Sequence, residues 1–382
     1  MCSGRPDGTQ DRRTAADQAG YGDRCAAGRP GGTDAQRRVM RDRGRAERKG
    51  GMEHSKARNR MIGTVLGICG LIAVALSVGI LFSRSADESF YIIYITKTRT
   101  SSNDFWAAIR KGADTAAREN SVTLEVMMPH DEMQIEEQNG MIREAVAKRP
   151  NAIVVTPSSE TETLEALQEV RNAGIPLVFI DSMTEEAIAD AVVATDNMEA
   201  GKKVAEAMRQ TLTREDRIAI VNHVQGSSTA REREAGLREG LAGYAGQIVA
   251  TVYSNSSADT GAEVTKQLLR EHPEITYLAC MNEDSTVGAA RAVKELGLEE
   301  QITMVGFDNA METIQDLEAG VFSAIVVQKA FTMGYFGIEN AVRLVRGEAV
   351  PYYTDSGSVL VTKETMYTEE NEELLFPFYG QE

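Results

Sequence analysis

The sequence predicts an α/β protein of two Rossmann-like lobes, each a parallel sheet covered by helices, behind one N-terminal transmembrane helix. Three observations carry this. From Ser85 onward, short apolar runs alternate with amphipathic stretches, the pattern of parallel sheets with helices on both faces. Some ten such runs over about 290 residues exceed one comfortable core, so they divide into two. The segment 61–83, MIGTVLGICGLIAVALSVGILFS, holds 23 residues without a charge.

The chain before that segment is basic. Residues 1–60 carry 15 Lys/Arg and 8 Asp/Glu, a net of +7, against −16 for the whole chain; the remainder therefore carries −23. Residues 1–51 are rich in Arg, Gly, Asp and Ala without apolar periodicity and are expected to be disordered. They also read as a start assigned too far upstream, with Met52 or Met61 as the true beginning. At about 20 residues per bilayer span, the run 61–83 is long enough to cross a membrane. Lys56, Arg58 and Arg60 precede it, so the N-terminus stays inside and everything after Ser83 is exported. Cleavage at Ser83-Arg84-Ser85 competes with retention as an anchor, and the length of the run favours the anchor. Ile68 before Cys69 argues against a lipoprotein cysteine. The expected location is the cell membrane, single-pass, with residues 84–89 as linker and the rest extracytoplasmic.

Beyond the linker the elements follow in order. Strands are expected at 91–96, 123–128, 152–156, 176–180 and 191–194, with helices at 105–120, 132–148 and 161–173. The first opens on FYIIYI, too short for a helix and rich in β-branched and aromatic residues. A second series of strands falls at 217–221, 247–253, 276–280, 302–305 and 323–327, with helices at 228–241, 260–270, 284–296 and 312–319. Gly174 with Pro176 stops one helix and starts a strand, and His272-Pro273 does the same before Ile275. A last helix at 330–346 ends at Gly347.

Composition excludes several functions. An acidic ectodomain lacks the basic footprint that nucleic acid needs. Cys280 stands alone in the globular part, so no disulfide forms there. His54, His130, His223 and His272 are far apart, without metal-ligand spacing. There is no G-x-S-x-G and no P-loop, and neither cofactor nor catalysis is expected. Asp181 and Asp308 could be the paired carboxylates of a glycosidase.

Polar residues gather just beyond the strands instead. After the first strand come Asn103, Phe105 and Trp106, the last being the only Trp of the chain. Thr156 and Asp181 follow two strands of the first series. In the second, Arg231 opens a helix, Asn282 and Asp308 follow strands, and Gln328 closes one. Loops beyond the carboxyl ends of strands are where open α/β sheets bind ligands. Carboxylates, amides and a guanidinium beside two rings suit a neutral polyol, whose hydroxyls they pair and whose C–H face the rings cover. Each residue also has a plainer reading. Asp181 and Asp308 could cap helices, Asn282 could belong to a turn, and Arg231 lies in a charge run, REREAGLRE, that by default is a solvated helix face.

In these residues the sequence resembles the ribose-binding-protein branch of the type I periplasmic sugar-binding proteins, a fold shared with LacI-type repressor cores. The resemblance runs from about Phe90 to Thr362. Its landmarks are Asn103-Asp104-Phe105-Trp106, Ala173-Gly174-Ile175-Pro176 with Asp181, Thr195-Asp196-Asn197 with Gly201-Lys202, Ala230-Arg231-Glu232-Arg233, His272-Pro273, Asn282-Glu283-Asp284 with Gly288-Ala289, and Val305-Gly306-Phe307-Asp308. It implies a monomeric two-lobed clamp on a monosaccharide, contacted by Asn103, Phe105, Trp106, Asp181, Arg231, Asn282, Asp308 and Gln328. It implies a hinge of three crossings near Ala194-Thr195, Gln328-Lys329 and Ser356-Gly357, hence lobes of 90–194 plus 329–356 and 195–328 plus 357–378. Arg99 and Thr156 fall at contact positions but differ from the ribose pattern. Ser182 stands where ribose binders place an arginine, and no ring lies near 254–258. The implied partner is the permease of a sugar ABC importer or, alternatively, a membrane histidine kinase that reads sugar occupancy. A repressor would need a helix-turn-helix where the apolar run stands.

Overall fold

The computed structural model describes residues 60–74, 89–99 and 103–376. The chain forms two compact units, Met1–Asp87 and Glu88–Glu382. In the first, residues 60–74 form helix α1 with exposed side chains. Among the described residues no helix is long and apolar enough to cross a membrane. The expected membrane segment continues to Ser83, so its second part lies outside the described residues. The tract 1–51 and the Ser83-Arg84-Ser85 site lie outside them too.

The second unit is α/β throughout. Strands β1 (Tyr91–Ile95), β2 (Thr123–Met127), β3 (Ala152–Val155), β4 (Leu177–Ile180) and β5 (Ala191–Ala194) are interleaved with α2 (Asp104–Glu119), α3 (Ile135–Lys148) and α4 (Leu164–Asn172). Helix α5 (Asn197–Arg209) leads into β6 (Ile218–Asn222), β7 (Ile248–Tyr253), β8 (Tyr277–Cys280), β9 (Thr303–Phe307) and β10 (Phe322–Gln328). Between them lie α6 (Ser228–Gly240), α7 (Ala258–Glu271), α8 (Glu283–Leu296) and α9 (Met311–Ala319). The chain ends with α10 (Ala330–Val345), β11 (Tyr353–Asp355), β12 (Ser358–Val361) and α11 (Glu369–Leu375). Each of the ten expected strands falls on one of β1 to β10.

These strands make two six-stranded sheets, ordered β11-β5-β4-β3-β1-β2 and β12-β10-β9-β8-β6-β7. Neighbours are parallel except β10 and β12. Helices cover both faces, which is why β3, β4, β5 and β8 are buried at every residue and read as unbroken apolar runs. The chain changes sheet after β5, after β10 and between β11 and β12. Backbone bonds tie these passages together: Ser356 N–H donates to Ala194 O at 2.9 Å, and Lys329 N–H to Gly357 O at 3.2 Å.

Helices pack closely where glycines face each other. A β-carbon on Gly334 of α10 would stand 2.0 Å from Ile109 O of α2, and one on Gly201 of α5 would stand 2.1 Å from Arg233 O of α6. The helices must part to admit even one methyl. Gly334→Ala should therefore lower stability by about 1–3 kcal/mol, the usual cost of overpacking. Gly140→Ala on α3, where nothing lies within 4 Å, should raise it by about 0.5–1 kcal/mol through helix propensity. Urea unfolding of the two variants checks the contrast.

Candidate functional site

The carboxyl ends of both sheets face one cavity. The first lobe contributes Lys97 after β1, Asn103, Phe105 and Trp106 at the start of α2, Glu132 after β2, and Asp181 after β4. The second lobe contributes His223 after β6, Thr229 and Arg233 of α6, Asn282 and Glu283 at the start of α8, Asp308 after β9, and Gln328 closing β10.

Asp181 and Asp308 hold equivalent places in the two lobes, and both have left-handed backbone, with φ of 68° and 66°. Non-glycine residues in this region carry strain of order 1 kcal/mol and persist where their surroundings over-determine them. Neither caps a helix: Asp181 leads to β5, and the residue capping α9 is Ala310. Asp181 pairs instead with Lys97, Nζ to Oδ2 at 3.2 Å, in a buried ion pair. Ser182, which replaces the expected arginine, donates to Asp181 Oδ2 at 2.7 Å and also bonds Lys97. A lysine from β1 thus supplies the cation beside this aspartate.

Across the cleft, Gln328 Nε2 donates to Asp308 Oδ1 at 2.8 Å, while Gln328 Oε1 accepts from Arg233 Nη2 at 2.8 Å and from Thr195 Oγ1 at 3.0 Å. Arg233 also donates to Asn197 Oδ1 and to Met281 O, both at 2.8 Å, and its guanidinium lies 4.3 Å from the centre of the Phe307 ring. Every lobe passage meets this network, because Thr195 Oγ1 also reaches Ser356 Oγ at 3.3 Å.

The arginine differs from expectation. Arg231 does not line the cavity. Its side chain is 60% exposed and pairs with Glu160 at 2.6 Å. Two positions along an α-helix turn the side chain by about 200°, so Arg231 and Arg233 face opposite ways. Thr229 and Arg233, four apart on α6, share the cavity face. That i, i+4 relation was the available signal. Arg99 and Thr156 also stay out of the cavity. Arg99 is exposed, whereas Thr156 is buried with its hydroxyl 3.1 Å from Tyr94 Oη.

Asn103 and Asn282 each do two things. They line the cavity and cap α2 and α8, accepting from Trp106 N–H at 3.1 Å and Ser285 N–H at 2.9 Å. Asn282 thus caps a helix rather than belonging to a turn. Phe105 and Trp106 meet edge to face, with ring centres 5.0 Å apart. Lys97, Glu132, His223 and Glu283 were not anticipated; loop residues carry no periodicity, and only Glu283, next to Asn282, was adjacent to a recognised position.

Glu283 spans the cleft. Its carboxyl accepts from Asp104 N–H at 2.9 Å and Phe105 N–H at 3.0 Å, at the amino end of α2, where helix donors are unpaired and favour negative charge. Asn103 Nδ2 donates across the same gap to Asp284 Oδ2 at 3.3 Å. Burial dominates the titration here: it raises Glu132, raises Glu283 well above the carboxylate range, and pushes Asp284 to about 7 and Asp308 to about 6. Burial, with Arg233 and Lys97 nearby, holds His223 well below its ordinary value and so neutral. Among the described residues no group of three His, Cys, Asp or Glu side chains could hold a metal ion.

Known proteins share this architecture. A family described as periplasmic binding protein domain matches residues 93–349. The chain is 37% identical to a sugar transporter structure from Clostridium phytofermentans, covering 72% of this chain and all of that one, with a TM-score of 0.69. It is 31% identical to an ABC transporter solute binding protein from Agrobacterium vitis with bound D-fucose, covering 75% and 99%, with a TM-score of 0.71. Among curated proteins it is 24% identical over 268 residues to the ribose import binding protein of Bacillus subtilis, 70% of this chain and 86% of that one. Fold, cleft and relatives agree: the chain belongs to the periplasmic binding protein domain family, in the ribose-binding branch of its type I sugar-binding members.

Proposed function

We propose that the chain binds a monosaccharide between its lobes outside the cytoplasm and delivers it to the permease of a sugar ABC importer, tethered to the membrane through residues 61–83. The observation that carries this reading is the cavity. An aromatic pair from one lobe adjoins buried donors and acceptors from both, several of them held by a second partner. The relatives support the importer: one is named for ribose import and another as an ABC transporter solute binding protein. The chain binds its ligand rather than transforming it, as do these substrate-binding relatives. The tether rests on the uncharged run and the basic residues before it. Serine at 182 and the missing second ring argue that the sugar is not ribose itself.

Contacts across the cleft describe a closed clamp. Arg231 bonds Glu160 through both Nε and Nη2, and Met183 N–H donates to Ser228 Oγ at 3.0 Å. Hinge closure around a ligand is the expected motion of such a fold.

Titrating pentoses and hexoses into the full chain while following the fluorescence of its single Trp tests the site. The sugar that raises the thermal midpoint should also change Trp106 emission; stabilisation with constant emission would place that ring outside the binding surface. The two arginines should separate cleanly. Arg233→Ala should weaken the same sugar by about 2–5 kcal/mol, since it removes a buried charged donor and leaves its partners unpaired. Arg231→Ala, an exposed ion pair, should cost under about 1 kcal/mol by calorimetric titration.

Closure should also depend on pH. Asp284 keeps its proton to about 7 in the closed cleft against 3.8 when free. The closed form therefore gains from this group at low pH and loses the gain as pH rises through 7. Asp284→Asn, which keeps an acceptor for Asn103, should raise the thermal midpoint at pH 8 and leave it nearly unchanged at pH 3.

A further inference from the structure

Acidic groups outnumber basic ones around the cavity. Four carboxyl groups line it, those of Glu132, Asp181, Glu283 and Asp308, against two cations, Lys97 and Arg233. Three of the acids are satisfied by protein groups: Asp181 by the Lys97 ammonium, Asp308 by the Gln328 amide, and Glu283 by two backbone N–H groups. Glu132 is the exception. It is 7% exposed, lines the cavity, and forms no ion pair among the described residues.

The surroundings of Glu132 are polar and incompletely paired. His223 is 3% exposed and lines the same cavity; its Nε2 lies 2.8 Å from Thr229 Oγ1, while its Nδ1 is buried without a partner. The hydroxyl of Ser256, on the loop after β7, acts on the Glu132 carboxyl as a hydrogen-bonding neighbour, a smaller effect than that of burial. That loop holds two successive left-handed residues, Asn255 and Ser256, with φ of 51° and 50°. Strain of this kind is retained where the placement of a residue matters. This is also the place where a second stacking ring would be expected. Around Glu132 and His223 the cavity therefore presents polar groups rather than a ring. A buried carboxylate is costly unless it is paired, and the group that would pair Glu132 most completely is a cation.

We propose that the ligand is an amine-bearing monosaccharide whose ammonium group lies against Glu132, with His223 as a neutral acceptor beside it. This rests on the sugar-binding reading above. A histidine whose Nε2 donates to Thr229 leaves Nδ1 as an acceptor, and a carboxylate with a bound cation stays ionised in spite of its burial.

Calorimetric titration of the full chain with D-glucosamine, D-galactosamine and D-mannosamine, each beside its parent hexose and with D-ribose as reference, tests this. At least one amino sugar should bind tenfold or more tightly than its parent. Acetylation of that amine should abolish the preference in the unaltered protein, and Glu132→Gln should shrink it below threefold. Parent hexoses binding as tightly as the amino sugars would overturn the proposal while leaving the sugar-binding reading intact. So would a tenfold preference that survives Glu132→Gln. Heat from none of these sugars would overturn both.

Discussion

The Gln328 side chain is the junction on which both cleft and hinge depend. One amide accepts from Arg233 and Thr195 and donates to Asp308, so a single group connects the end of β10, the cavity arginine, the cavity aspartate and the passage after β5. An amide can do this because it is donor and acceptor at once and carries no charge to be desolvated. A carboxylate in its place would repel Asp308; an ammonium could not accept from Arg233. In a low-dielectric interior such bonds reinforce each other, and a network satisfied at every member fixes one geometry. Ligand contacts and lobe orientation thereby share the same atoms.

Much of the fold was legible because burial on both faces writes strands as unbroken apolar runs. β11 and β12 were not, and the reason is physical. They are three and four residues long, carry polar side chains, and lie at the sheet edges, where one side has no neighbour to demand apolar character. Helix α5 also went unassigned, although the Asp196 cap that starts it was noted as part of a landmark.

The cavity was legible in part. Residues that immediately follow strands, such as Asp181, Asp308 and Gln328, could be found because strand ends fix position. Arg231 and Arg233 sit in one charge run, and only the helical phase set by the start of α6 tells them apart. Lys97, Glu132 and His223 come from connecting segments, whose course depends on the packing of elements distant in sequence.

Glu283 has a wider consequence. Because its carboxyl accepts from backbone N–H groups of α2, a contact made wholly by the protein, part of the energy of closure is independent of the sugar. Apparent affinity equals intrinsic affinity scaled by the fraction of molecules already in the binding-competent form. The latch therefore acts as a set point. Its strength moves the half-saturating concentration for every ligand together and leaves their ranking unchanged. Sensitivity and selectivity could thus drift separately in this protein, the first through cross-cleft contacts such as that of Asp284, the second through the wall of the cavity.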